Sequence, residues 1–208
     1  MGCKIHRILF AIVFIGLIFP MLSATQEYDW AAIDEEAFES SQPTEKIMDI
    51  IGIETDMTVG EVGAGGGRVA VRVAKRVGRA GKVYANDILA SALKYMRDRI
   101  ERENIPNMEV VEGTLTDPRF PQKELDVVYL TNTYRHLDKP VEVLKNIAPS
   151  LKNDGRLAII DSKRYARGGG TNEIVANAAE AGFVLIKVDH SLPRDDVYVF
   201  ALKPANST

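Results

Sequence analysis

Three groups of residues in this 208-residue chain have types and spacings suited to chemistry. The densest is Glu61-Val62-Gly63-Ala64-Gly65-Gly66-Gly67-Arg68, where an acid stands two residues ahead of the alternating glycines Gly63, Gly65 and Gly67. Glycine reaches positive φ and leaves no side chain in a ligand's way. Such a bend brings backbone N–H groups and a helix N-terminus up to a bound small molecule. Glu61 suits a ligand with a positively charged amino group and repels a pyrophosphate. The second feature is Asp87, at the end of the next apolar stretch, where a carboxylate accepts hydrogen bonds from ribose hydroxyls. The bland alternative is that Glu61 caps the bend and Asp87 the next helix. The third is Asn132-Thr133-Tyr134-Arg135-His136, which follows another apolar run. Tyr134 or His136 there would orient a nucleophile, or His136 would take its proton. Alternatively Tyr134 packs and His136 caps a helix.

These residues need elements to hold them. Thr44 is placed to cap a helix whose apolar positions are Ile47, Met48, Ile50 and Ile51. Strands are expected at 58–62, 82–85, 108–111, 125–130, 156–160, 183–188 and 197–202. Helices are expected at 69–77, 88–102, 141–151 (broken by Gly155) and 171–181. Strands alternating with helices imply an α/β fold: a Rossmann-like, seven-stranded, mostly parallel sheet with helices on both faces. The last two strands are joined too closely for a helical crossover, so the final strand is expected to run antiparallel.

A dinucleotide fold wants Gly-x-Gly-x-x-Gly. From Gly63 that pattern fails at Arg68; from Gly65 the looser form Gly65, Gly67, Ala70 is met. A nucleotide-linked oxidoreductase therefore stays open on the glycines alone. Glu61 and Asp87 together favour a cationic nucleoside.

A formal charge of -3 with scattered basic residues argues against a nucleic-acid partner. Lys163, Arg164 and Arg167 precede three glycines and read as a mobile basic loop, more simply solvated than substrate-binding. Asp161 either lines a pocket or caps a loop, and His190 shows no partner. No His/Asp/Glu spacing suggests a metal site. Residues 1–24 have the layout of a secretory signal peptide: Lys4, His6 and Arg7, an apolar run over 8–22, then Ser23 and Ala24. An exported, periplasmic or secreted protein is expected, or one anchored by 8–22, with membrane contact through that segment only. The run is shorter than the roughly 20 residues that span a bilayer comfortably. Cys3 lies ahead of the run, so cleavage leaves no cysteine for disulfides or thiolate metal sites. Residues 25–42 read as a linker or loosely held lid in which Tyr28, Trp30 and Phe38 pack on the domain or partly cover a pocket. Residues 43–204 form the domain.

The chain resembles the class I S-adenosylmethionine-dependent methyltransferases. Glu61 to Gly67 is similar to their first motif, acid-x-Gly-x-Gly-x-Gly. Tyr84-Ala85-Asn86-Asp87-Ile88 resembles the second-strand segment with its ribose-binding acid. Glu112-Gly113-Thr114-Leu115-Thr116-Asp117 occupies the adenine-side motif, with Thr114 where the family often has an acid. Asp126 to Leu130 resembles strand four, and Leu151 to Leu157 the turn before strand five. The likeness covers 44–203. It implies S-adenosyl-L-methionine as methyl donor, held by Glu61, Gly63, Gly65, Gly67, Asp87, Ile88 and Asn132, with backbone contacts from Thr114 or Leu115. It also implies in-line methyl transfer to an acceptor, expected to be a small molecule, with His136 and Tyr134 as catalytic candidates. A methyltransferase-like fold that binds without turnover is the second expectation. A narrower resemblance is to exported bacterial methyltransferase-like proteins with Asn-Thr-Tyr-x-His after strand four. The acceptor and oligomeric state have no signature here.

Overall fold

The computed structural model describes residues 29, 30 and 35–204. The expected leader lies outside them. Among the described residues no helix is long and apolar enough to cross a membrane.

Seven strands of the described residues form one sheet: β1 (Thr58–Val62), β2 (Lys82–Asp87), β3 (Met108–Glu112), β4 (Leu125–Thr131), β5 (Leu151–Ser162), β6 (Phe183–Asp189) and β7 (Asp195–Leu202). Their order is β3-β2-β1-β4-β5-β7-β6. All neighbours are parallel except those of β7, which runs antiparallel to both β5 and β6. The strand order reverses between β1 and β4, and a crevice opens there beyond the strands' carboxyl ends. Successive side chains on a strand face opposite ways. Val59, Val83, Val127 and Tyr129 therefore join one core with α2 (Thr44–Ile51), α3 (Arg68–Val77) and α4 (Ala90–Glu103). Tyr84, Val128, Leu130 and Leu157 join the other with α5 (Pro140–Ile147) and α7 (Thr171–Glu180). Glu61 shares the face of Val59, toward α3. The short α1 (Glu35–Ser41) precedes these and buries none of its residues.

Some expected boundaries move for identifiable reasons. Pro43, not Thr44, sits at the N-cap of α2; the buried Thr44 hydroxyl is bonded to Glu39 instead. Helix α4 starts at Ala90 rather than 88, because the N–H groups of Ile88 and Leu89 are taken by Asp87. Helix α5 ends at Ile147, and Ala148–Ser150, with a proline lacking an N–H, forms a single tighter turn. Gly155 breaks no helix. It lies within β5, where pairing with β4 jumps from Leu125↔Leu151 to Val127↔Arg156. A Cβ there would meet the Leu125 carbonyl oxygen at 2.9 Å. The expected basic loop is helical: Ser162 caps α6 (Lys163–Tyr165), and a wider turn, Ala166–Gly170, continues it.

Candidate active site

A hollow of about 600 Å³ opens at the strand-order reversal, within the size range of small-molecule sites. Its floor is the bend after β1. Gly63 and Gly65 adopt φ of 71° and 57°. A Cβ on Gly63 would lie 2.4 Å from Thr133 Cγ2, and one on Gly65 would lie 2.8 Å from the Trp30 ring. Both positions thus require glycine. Gly67 lies outside the hollow, at the N-cap of α3 and against Met96 and Met108.

Glu61 is 2% exposed and borders the hollow. Tyr129 donates its hydroxyl to Glu61 Oε2 at 2.9 Å, and the Ala70 N–H also reaches the carboxylate. Burial dominates nonetheless and pushes the Glu61 carboxyl up to about 8. The nearby Arg68 guanidinium also favours the charged form without offsetting the burial.

Asp87 borders the hollow from the tip of β2. Its Oδ2 accepts the Gly65 N–H at 2.8 Å. Oδ1 accepts those of Ile88 and Leu89 at 2.8 and 2.9 Å. A carboxylate offers about four acceptor positions, and three of them are taken by these N–H groups. Ile88 and Leu115, 47% and 69% exposed, flank the opening. Thr114 also lines it, but its Oγ1 accepts the Asp117 N–H at 2.9 Å and so closes its own turn.

Beyond β4, Asn132 lines the hollow with φ 56°. His136 lies at the same wall, exposed to solvent. Tyr134 does not reach the hollow. Its ring is 1% exposed in the core and its hydroxyl accepts from Asn177 Nδ2 at 2.8 Å, so it packs rather than meeting a nucleophile. Asp161 is buried behind the wall, where its oxygens hold the Arg135 guanidinium, the Arg135 N–H and the Ser162 N–H. Expected to stand alone, His190 instead meets Asp196, Nδ1 to Oδ1, at 2.8 Å. Lys163 donates to the carbonyls of His190 and Leu192 at 2.8 and 2.6 Å. Among the described residues no group of three or more His, Cys, Asp or Glu is gathered as for a metal ion.

Sequence reasoning missed four charged residues that line the hollow, Arg68, Asp117, Arg135 and Arg194, and the uncharged Thr131, Leu137 and Val143. Arg135 stood inside a quoted segment, between Tyr134 and His136. Arg194 gave no signal, because only the return of β7 beside β5 brings it there. Trp30 and Phe38 both line the hollow, and Trp30 Nε1 donates to Ser91 Oγ at 3.3 Å.

The strand order, the glycine bend and the acids at two adjacent strand tips define a class I S-adenosylmethionine-dependent methyltransferase fold. Comparison with known proteins agrees. Residues 59–155 are similar to the methyltransferase domain family. A ubiquinone/menaquinone biosynthesis C-methyltransferase, UbiE, of Pseudomonas putida is 27% identical over 135 residues, 64% of this chain and 51% of that protein. A demethylmenaquinone methyltransferase of Listeria welshimeri is 25% identical over 117 residues, 56% of this chain and 50% of that one. The chain thus spans about half the length of these curated relatives. A solved S-adenosylmethionine-dependent methyltransferase of Aquifex aeolicus superposes with a TM-score of 0.70 at 24% identity, covering 81% of this chain and 98% of that one, a likeness of fold.

Proposed function

We propose that the chain transfers a methyl group from S-adenosyl-L-methionine to a small-molecule acceptor held in the same hollow. One observation carries this reading: Glu61 and Asp87 both face a hollow floored by a bend where two glycines leave no room for a side chain. The residues present fit the donor. Glu61 would hold its amino group, Asp87 its ribose hydroxyls, and Ile88 and Leu115 its base. The buried Thr131 hydroxyl borders the hollow and has no hydrogen-bond partner among the described residues, leaving it for a ligand. When bound, the donor supplies an electrophilic methyl group on a sulfonium.

The chain's own residues do the rest. The glycine bend fixes the donor against α3, and the β4 wall aligns the acceptor; such positioning supplies much of a transfer reaction's acceleration. His136 is the imidazole facing the hollow and takes the acceptor proton where the acceptor has one to lose. The curated relatives are named for quinone biosynthesis, which supports a small molecule as acceptor. Transfer of labelled methyl from the donor to the small-molecule fraction of a cell extract tests the reading. Label is expected there, and its absence while the donor still binds would favour a binding module without turnover.

For residues 1–24 we propose an export leader, and for 25–42 a lid whose Trp30 and Phe38 meet the hollow. The layout of charge and apolar residues supports the first. N-terminal sequencing of the mature protein tests it.

A further inference from the structure

The hollow is electrically divided. Its acids, Glu61, Asp87 and Asp117, belong to the half built on β1, β2 and β3, where Arg68 also stands but is turned to Glu39 and Gln42, whereas Arg135, His136 and Arg194 belong to the half built on β4, β5 and β7. The first half suits a cationic donor, and in the second Arg194 presents a guanidinium to whatever lies opposite.

The arginines lining the hollow are not equally engaged. Arg68 is held by Glu39 and Gln42, and Arg135 by Asp161 and Asn132. Arg194 differs. Its carboxylate neighbour Asp195 comes no nearer than 3.7 Å, Nε to Oδ1, beyond hydrogen-bond range. That Oδ1 is buried without a hydrogen-bond partner among the described residues. The other oxygen accepts from Gln42 Nε2 at 2.6 Å. Burial also holds the Asp195 carboxyl above its ordinary value, which weakens its pull on the arginine. The Arg194 guanidinium makes no hydrogen bond to a described residue. It lies 5.9 Å over the Phe38 ring, which steadies it at the wall.

A guanidinium fork with both terminal nitrogens available matches a carboxylate bidentately. Phe38, Leu137 and Val143 line the same hollow and offer an apolar surface. We propose that the acceptor is a small organic acid, with its carboxylate docked on Arg194 and an apolar body packed beside Phe38. This inference rests on the donor reading above and narrows its acceptor from any small molecule to an anion, unlike a neutral quinone.

Benzoate and benzamide, alike in shape and different in charge, serve as probes. Each is titrated calorimetrically into the protein saturated with S-adenosylhomocysteine. Benzoate is expected to bind about tenfold or more tightly than benzamide, as a charge-assisted hydrogen-bonded pair allows. In Arg194→Gln the preference is expected to vanish, and in Arg194→Lys to survive in part. Equal binding of the probes, failure of both to bind, or an undiminished preference in Arg194→Gln would overturn the acceptor assignment. If S-adenosylhomocysteine itself fails to bind, the donor reading falls and this inference with it.

Discussion

Asp87 Oδ2 accepts the amide hydrogen of Gly65 at 2.8 Å, so the acid at the tip of β2 pins the bend that follows β1. Under the proposed function, this one carboxylate would both shape the donor cradle and offer an acceptor atom to a ribose. Asp87→Asn keeps the side chain's shape but removes the charge and one acceptor oxygen. The loss of charge-assisted bonds to backbone N–H groups is expected to cost about 1.5–3 kcal/mol of stability. Donor affinity is expected to fall in parallel by about tenfold or more. Urea unfolding and titration calorimetry measure the two; an unchanged affinity would remove Asp87 from the site.

Under the proposed function, Glu61 is expected to make donor binding depend on pH. Its carboxyl, raised by burial from 4.5 to about 8, is mostly protonated at neutrality. A cationic ligand favours the charged form, so binding releases a proton. Affinity should rise with pH, by up to about tenfold per unit between about pH 5.5 and 7.5, below the range where the ligand's α-amino group titrates. Glu61→Gln should flatten the profile. Stability without ligand moves the opposite way. A folded-state value above the unfolded one means that the native protein binds more protons between them. The favourable term is therefore present below about 4.5 and lost as pH climbs toward 8. A calorimetric series in buffers of different ionisation enthalpy checks the proton release.

Gly63 tests the cradle's shape. Its φ of 71° is strained for any other residue, and an added Cβ would collide with Thr133 at 2.4 Å. Gly63→Ala is expected to cost roughly 2–4 kcal/mol, combining backbone strain with overpacking. A melting temperature within a degree or so of wild type would mean that the bend is not held as described.

Helix α1 is attached by charge. It buries none of its residues, yet Glu35 pairs with Arg72 and Arg99, and Glu39 with Arg68 and Arg72. Partial burial raises the Glu35 carboxyl, but Arg99 and Arg72 outweigh it and leave the group below its ordinary value. Raising salt from about 0.1 M to 1 M shortens the screening length from about 10 Å to 3 Å. Amide exchange over Glu35–Ser41 should quicken while β1 and β4 stay protected. Uniform protection across both salts would contradict an ionic attachment. Because Glu35 is depressed, its contribution is present at neutrality and lost as pH falls through its folded value.

The alternating pattern carried the fold far. Apolar stretches of four to six residues, most of them separated by amphipathic helices, sufficed for all seven strands and the antiparallel β7, because burial on both faces leaves the central strands near-continuously apolar. Glu61, Gly63 and Gly65 were legible because one local strand–bend–helix unit holds them, and Asp87 because it ends the very next strand. Residues that reach the hollow only through tertiary routing were not. Arg194 arrives on a loop before a strand inserted between β5 and β6, and neither its type nor its neighbours announced that position. Tyr134 shows the converse: it stands in a promising segment, but the turn at Tyr134–His136 rotates it into the core, leaving His136 at the wall. Gly155 resembled a helix stop because a bulge and a cap draw on the same residue.

The central claim is that the hollow takes a cationic nucleoside rather than a dinucleotide. Parallel calorimetric titrations of S-adenosylmethionine and NADH into the purified protein test it most directly. S-adenosylmethionine is expected to bind saturably and one to one, more weakly in Asp87→Asn, with no heat of binding from NADH. Saturable binding of NADH without binding of S-adenosylmethionine would contradict it.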